Sequence, residues 1–214
     1  MEYCVNDCQI MSLPRATKES AFSLIELMLV LAVLSTLLAI AVTRGKTGNQ
    51  DRLQLQCESN LQSMHIAMSI YANDHDDAFP IWRGARGSEG PLSLLVPTYT
   101  TDTGVFTCPG ADDPPLPQAE PFSDRTISYA YYMGWKKTDP SRGPLASDRQ
   151  ILPADRKRHD ADRMFSRDGR GPGANHDKYG GNVLFLDGST RRYKSEADEQ
   201  LEIPDEIKLL NPHS

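Results

Sequence analysis

Residues 22–42 read FSLIELMLVLAVLSTLLAIAV, a run of 21 residues broken by a single charge, Glu26. As an α-helix, such a run covers roughly 30 Å, the thickness of the hydrocarbon core of a bilayer. A helix buried in a soluble core rarely runs this long without a polar face. The run is therefore expected to be a transmembrane helix. It is too long for the apolar region of a cleaved secretory signal. No cysteine marks it as a lipoprotein signal either, so it is expected to stay on the mature chain. Glu26 is its informative residue. A carboxylate inside hydrocarbon costs several kcal/mol and needs either an exit to the interface or a cationic partner. Glu26 lies four residues past the start of the run, so the interface is within reach. A free α-amino group on Phe22 would be a suitable cation, were the chain cut just before it.

Beyond the run the chain changes character. Leu53, Cys57, Leu61, Met64, Met68 and Tyr71 recur at steps of three and four, which predicts one buried face of a helix. Gly45 and Gly48 lie between the two helical stretches, and each weakens a helix by about 1 kcal/mol relative to Ala. A bend or local melting is expected there. Asp74, Asp76 and Asp77 lack the Gly and closing Glu of a calcium loop, and read as solvated acids at a helix end. After Pro80 the chain is rich in Pro and Gly. VFTCPG at 105–110 reads as a short strand and turn, 111–121 as irregular, and ISYAYYMGW at 127–135 as a strand. NVLFL, then Asp187-Gly188, then STRRY predicts a tight hairpin.

The formal net charge of −6 leaves no broad basic surface, so a nucleic-acid partner is not expected. Cys4, Cys8, Cys57 and Cys108 form no C-x-x-C pair, and no metal or cofactor is expected. His176 lies near Asp177 and Asp187 and invites a general-base or metal reading. No nucleophile motif accompanies it, and His159 is isolated in a charged run. The expected role of His176 is a hydrogen bond within the hairpin that fixes its register, and no catalytic residue is assigned.

KESAFSLIELMLVLAVLSTLLAIAV resembles the signal shared by type IV prepilins and type II secretion pseudopilins. The resemblance implies removal of a leader, residues 1–21, by prepilin peptidase between Ala21 and Phe22. It also implies N-methylation of Phe22, and a Glu26 that neutralises the N-terminal amine of a neighbouring subunit. The family usually has Gly where Ala21 stands. If translation begins at Met11, the leader shortens to MSLPRATKESA. Arg15 and Lys18 precede the run while Arg44, Lys46 and Arg52 follow it, so charge does not set orientation. The resemblance implies that the C-terminal part lies outside the cytoplasm, on a single-pass bacterial inner-membrane protein.

CESNLQSMHIAMSIYANDHDDAFP also resembles pilin-like proteins of planctomycete-type bacteria, through Cys57, Asn60, Leu61, Tyr71, Phe79 and Pro80. VFTCPG and ISYAYY are similar to two further landmarks of that group. ANHDKYGGNVLFLDGS is similar to its motif of a His ahead of an Asp-Gly, here His176, Asp187 and Gly188, a motif of unknown role. On the same oxidising side of a membrane, Cys57 and Cys108 are either disulfide-bonded or two buried thiols. A bridge closing about 50 residues contributes on the order of 4 kcal/mol in the chain-entropy model.

The expected fold is α+β and pilin-like. A long N-terminal helix, membrane half plus amphipathic half, packs on a small antiparallel sheet in a loop-rich domain. The expected organisation is leader 1–21, transmembrane helix 22–42, amphipathic extension 43–75, globular domain 76–195 and acidic tail 196–214. The expected function is a structural, non-enzymatic subunit of a type IV pilus or type II secretion pseudopilus. Its partners would be prepilin peptidase, other subunits and an inner-membrane assembly platform. Two rivals stand beside it. One is a minor tip subunit binding a ligand through Trp82, Trp135, Tyr131 and Tyr132. The other is a signal-anchored periplasmic enzyme.

Overall fold

The computed structural model describes residues 23–151, 163–171, 173–194, 201 and 203–213, the side chains of 41–47 excepted. The chain divides into two compact units, Met1–Arg44 and Gly45–Ser214. Helix α1 (Leu24–Asp74) provides the described part of the first unit and opens the second. It stays helical through Gly45 and Gly48, where a bend or local melting was expected, so the helix does not melt there. The propensity cost of two glycines is small beside the cooperative backbone hydrogen bonding of a 51-residue helix.

In the first unit every Leu, Ile, Val and Met side chain from Leu24 to Ile40 is exposed, from 42% at Val30 to 76% at Leu24. Ser35 and Thr36 turn their hydroxyls back onto the carbonyls of Ala32 and Val33, at 2.9 and 2.8 Å. No helix among the described residues is long and apolar enough to cross a membrane. The side chains of Phe22, Ala41 and Val42, at the ends of the predicted span, lie outside the described residues.

In the second unit α1 buries the periodic face. Cys57, Leu61, Met64 and Met68 are fully buried, Tyr71 is buried to 9%, and Leu53 is half-buried. The helix ends at Asp74, and Asp76 and Asp77 both adopt positive φ in the turn that follows, a conformation that Asp tolerates better than most residues. Their carboxylates are exposed.

Among the described residues five antiparallel strands follow in the order β4-β3-β2-β1-β5: β1 Tyr129–Met133, β2 Pro144–Asp148, β3 Gly181–Phe185, β4 Thr190–Tyr193 and β5 Lys208–Leu210. A short helix α2 spans Glu89–Ser93. β2 and β3 are buried along their whole length, because both faces of the sheet are covered. Leu184 and Leu186 join the main core with α1, while Val183 and Phe185 point to a second cluster with Met164, Phe165 and Tyr193. Alternation along one strand thus feeds two cores.

Three expectations change. VFTCPG is not a strand: Thr103–Phe106 forms a 3-10 turn, capped by the Asp102 carboxylate accepting from the Gly104 N–H at 3.0 Å. The hairpin between β3 and β4 has a three-residue loop, closed by Phe185 N–H to the Ser189 carbonyl and Gly188 N–H to the Phe185 carbonyl. Gly188 takes φ +80°, the left-handed position such loops require. The segment expected as an acidic tail supplies β5, which pairs with β1 through Tyr131↔Leu210 and Tyr132↔Leu209. Asn211 then binds the backbone of Gln150, and the N–H of His213 reaches Glu89. Backbone pairing and amide bonds hold these residues, although their composition is polar.

The helix face can be tested by a pair of truncations. Leu61→Ala is expected to lower stability by about 2–5 kcal/mol, and Leu55→Ala, at a site 58% exposed, by much less. Urea unfolding of both variants checks this, and equal losses would refute the assigned face.

Candidate functional site

The site begins with four side chains that local sequence does not bring together. Cys57 comes from α1, Cys108 from the loop after the 3-10 turn, Asp148 from the end of β2, and His176 from the loop before β3. Cys57 and Cys108 are joined by a disulfide with a Cα separation of 5.4 Å. His176 Nε2 lies 3.4 Å from Cys108 Sγ and 3.4 Å from Asp148 Oδ2. All four residues are buried, and their ligand-type atoms lie within 4.8 Å of one another.

Each residue is placed by a specific bond. Asn60, one turn on from Cys57, donates to the Thr107 carbonyl at 3.0 Å and so holds the loop at Cys108 against the helix. The Cys108 N–H donates to Ser128 Oγ at 2.7 Å, and Ser128 donates to Asp113 at 2.6 Å. Arg149 clasps the same Asp113 carboxylate at 3.1 and 3.2 Å. Asp148 accepts from the Asn182 N–H at 2.7 Å and from Asn175 Nδ2 at 3.3 Å. Asn175 also donates to the Ser128 carbonyl at 2.7 Å. Gln54 and Asn182 exchange contacts between α1 and β3, Gln54 donating to the Tyr179 carbonyl and Asn182 to the Gln54 carbonyl. Burial, and then the charge of Asp148, push the Tyr129 phenol well above its ordinary value, against a smaller opposing effect of Asn60.

Gly110 completes the wall. A Cβ there would lie 2.5 Å from the Asn175 carbonyl oxygen and 2.6 Å from His176 Nδ1. The glycine of the Cys-Pro-Gly element is thus a requirement of close approach. His176 Nδ1 has no hydrogen-bond partner among the described residues.

His176 is not a hairpin residue. Its ring nitrogen Nε2 faces Cys108 and Asp148, and not Asp187. β3 lies between His176 and Asp187, and five residues at about 3.3 Å each hold the two ends of a strand roughly 16 Å apart. Asp187 instead accepts from the Ser189 hydroxyl at 2.5 Å and the Ser189 N–H at 2.9 Å. These bonds, the hydroxyl first, hold the Asp187 carboxyl below its ordinary value. Helix α1 meets the hairpin through His65, whose Nε2–H donates to the Leu186 carbonyl at 3.1 Å. A Cβ on Gly188 would lie 2.9 Å from the His65 ring. The His and the Asp-Gly of the motif therefore serve two different places, the disulfide and the helix-packed turn.

The sequence reading did not single out Asp148. Its strand has no alternating pattern and starts with Pro144, and nothing local distinguishes this aspartate from others. Among the aromatics considered for ligand binding, Trp135, Tyr131 and Tyr132 are buried core residues, and Trp82 is 41% exposed. Ala21 and Phe22, the predicted cleavage and methylation sites, lie outside the described residues, as do Cys4, Cys8 and His159. Glu26 lies in the first turn of α1.

Residues 16–42 match the prokaryotic N-terminal methylation motif. The match indicates a pilin- or pseudopilin-type substrate of prepilin peptidase. No curated protein and no solved structure matches the chain.

Gly110→Ala is expected to cost about 1–3 kcal/mol through overpacking. A fall in the urea midpoint with an unchanged denaturant slope would show it, and an unchanged midpoint would remove the wall from the account. Asp187 gives a pH signature. Its folded value is depressed, so its contribution is present above the unfolded value of about 3.9 and is lost as pH falls through the folded one. The stability advantage of wild type over Asp187→Ala should therefore shrink between neutral pH and roughly pH 2. A difference that is constant across that range contradicts the ionised-carboxylate turn.

Proposed function

We propose that the chain is a structural subunit of a type IV pilus or a type II secretion pseudopilus. The observation that carries this is the first unit of the protein. From Leu24 to Ile40 an uninterrupted helix exposes every large apolar side chain, within the segment matching the methylation motif. Its two hydroxyl residues satisfy themselves on the helix backbone. Such a surface belongs in lipid or against copies of itself. On this reading the helix is stored in the inner membrane as a single span and then becomes the core of a filament. The second unit is displayed outside the cytoplasm.

Prepilin peptidase frees the amine of Phe22, and Glu26 of one subunit neutralises that amine on its neighbour, which avoids two unpaired charges in an apolar bundle. An inner-membrane platform drives the assembly. The chain is processed chemically and performs no catalysis of its own. An oxidising compartment for the second unit accords with the Cys57–Cys108 disulfide.

Glu26→Leu is the discriminating variant. It is expected to insert in the membrane normally and to be lost from sheared filaments or pseudopili by at least about tenfold, the effect of roughly 1.4 kcal/mol in subunit docking. N-terminal sequencing of the processed chain is expected to begin at Phe22. Normal incorporation of the variant, or a mature chain that keeps residues before Phe22, would overturn the proposal in favour of an anchored periplasmic protein.

A further inference from the structure

We propose that Cys57, Cys108, Asp148 and His176 form a tetrahedral binding site for a zinc-class divalent metal ion when the disulfide is reduced. The same four side chains then clamp the core in either redox state, by a sulfur–sulfur bond or through an ion. The inference does not depend on how the chain assembles.

The donor set is two thiolates, one imidazole and one carboxylate. All are ligands that Zn²⁺ accepts, and four is the coordination number of its closed structural sites. Bond lengths of about 2.3 Å to sulfur and 2.0–2.1 Å to nitrogen or oxygen put neighbouring ligand atoms about 3.3–3.8 Å apart in a tetrahedron. His176 Nε2 already stands 3.4 Å from Cys108 Sγ and 3.4 Å from Asp148 Oδ2. The two sulfurs must separate to about 3.8 Å, which side-chain rotation across a Cα separation of 5.4 Å permits, and the remaining pairs, already within 4.8 Å, need only small side-chain adjustments.

The surroundings have the features of a metal site. Asp148 is oriented by two donors, the Asn182 N–H and Asn175 Nδ2, as ligating carboxylates usually are. Nε2 of His176, and not Nδ1, faces the other ligands, and the ring is held by its approach to Gly110. All four residues are buried, so four protein ligands would close the site to solvent. The three elements beyond α1 that supply ligands come from distant parts of the chain, which is why no metal-binding spacing is visible in the sequence.

The step balances with a dithiol as reductant. Two electrons and two protons pass from the dithiol to the Cys57–Cys108 bond, giving two thiols and the reductant's own disulfide. The ion then displaces the two thiol protons to solvent. The two thiolate charges cancel those of the ion, so the pair of thiolates and the ion together add no net charge to the buried site. No uncompensated charge is created in the core.

The test uses the full chain in detergent, reduced with a dithiol and desalted without oxygen. Co²⁺ serves as the spectroscopic probe for Zn²⁺. The reduced chain is expected to bind one Co²⁺, with thiolate-to-cobalt charge transfer and intense tetrahedral bands that Zn²⁺ abolishes. The oxidised chain is expected to show none. His176→Gln and Asp148→Asn should each weaken binding by more than about tenfold. A reduced chain without charge transfer, or charge transfer unaltered by both variants, overturns the site. Either variant can fail to fold, so X-ray absorption of the zinc-loaded wild type reads the ligands directly. Two sulfur and two lighter ligands are expected, and any other set refutes the assignment.

Discussion

The Cys57–Cys108 bond is the constraint around which the second unit is arranged, because it ties a long helix covalently to a loop that lies against the sheet. Cys57 belongs to the buried face of a long helix. Cys108 belongs to a loop followed by a proline-rich stretch that has no ladder of its own. Behind both lie the ends of two central strands. A loop of this kind cannot satisfy its own backbone, so it borrows partners: Asn60 takes the Thr107 carbonyl, and Ser128 takes the Cys108 N–H. The bond holds the loop where those partners are. Asp148, held by Asn175 and Asn182, and His176 then fill the remaining space.

The second unit has two cores rather than one, with the sheet as the wall between them. α1 lies on one side with the aromatic β1 residues Tyr129 and Tyr131, and Phe165 and Tyr193 belong to the cluster on the other. This explains why β2 and β3 have no exposed face and why their polar members are committed. Asp148, Asn182 and Ser147 are all buried and all bonded.

The legibility of this fold in its sequence divides by range. The steps of three and four from Leu53 to Tyr71 are local and strong, and the buried face follows them residue by residue. The Asp-Gly turn is local too, although its loop is one residue longer than a tight two-residue hairpin. β5 escaped notice because three residues in an acidic stretch carry no pattern, and only pairing with β1 makes them a strand. Asp148 escaped for a similar reason. Its meaning comes from Cys108 and His176, 40 and 28 positions away in the numbering of the chain. The His…Asp-Gly motif misled in the opposite sense, since closeness in sequence suggested contact where an intervening strand enforces distance.

The order of the strands has one more consequence. The two outer strands are the shortest in the sheet, β4 with Arg191 and Arg192 exposed and β5 with Lys208 exposed. Short edges bearing cations resist the addition of a further strand. On the proposed filament reading, copies packed side by side would thereby be kept from joining their sheets into a continuous ribbon. Association is left to surfaces where register and stoichiometry are set by side chains. A polymer of that kind would be held by side-chain contacts between subunits and not by the backbone ladder that makes a cross-strand fibre so hard to dissolve.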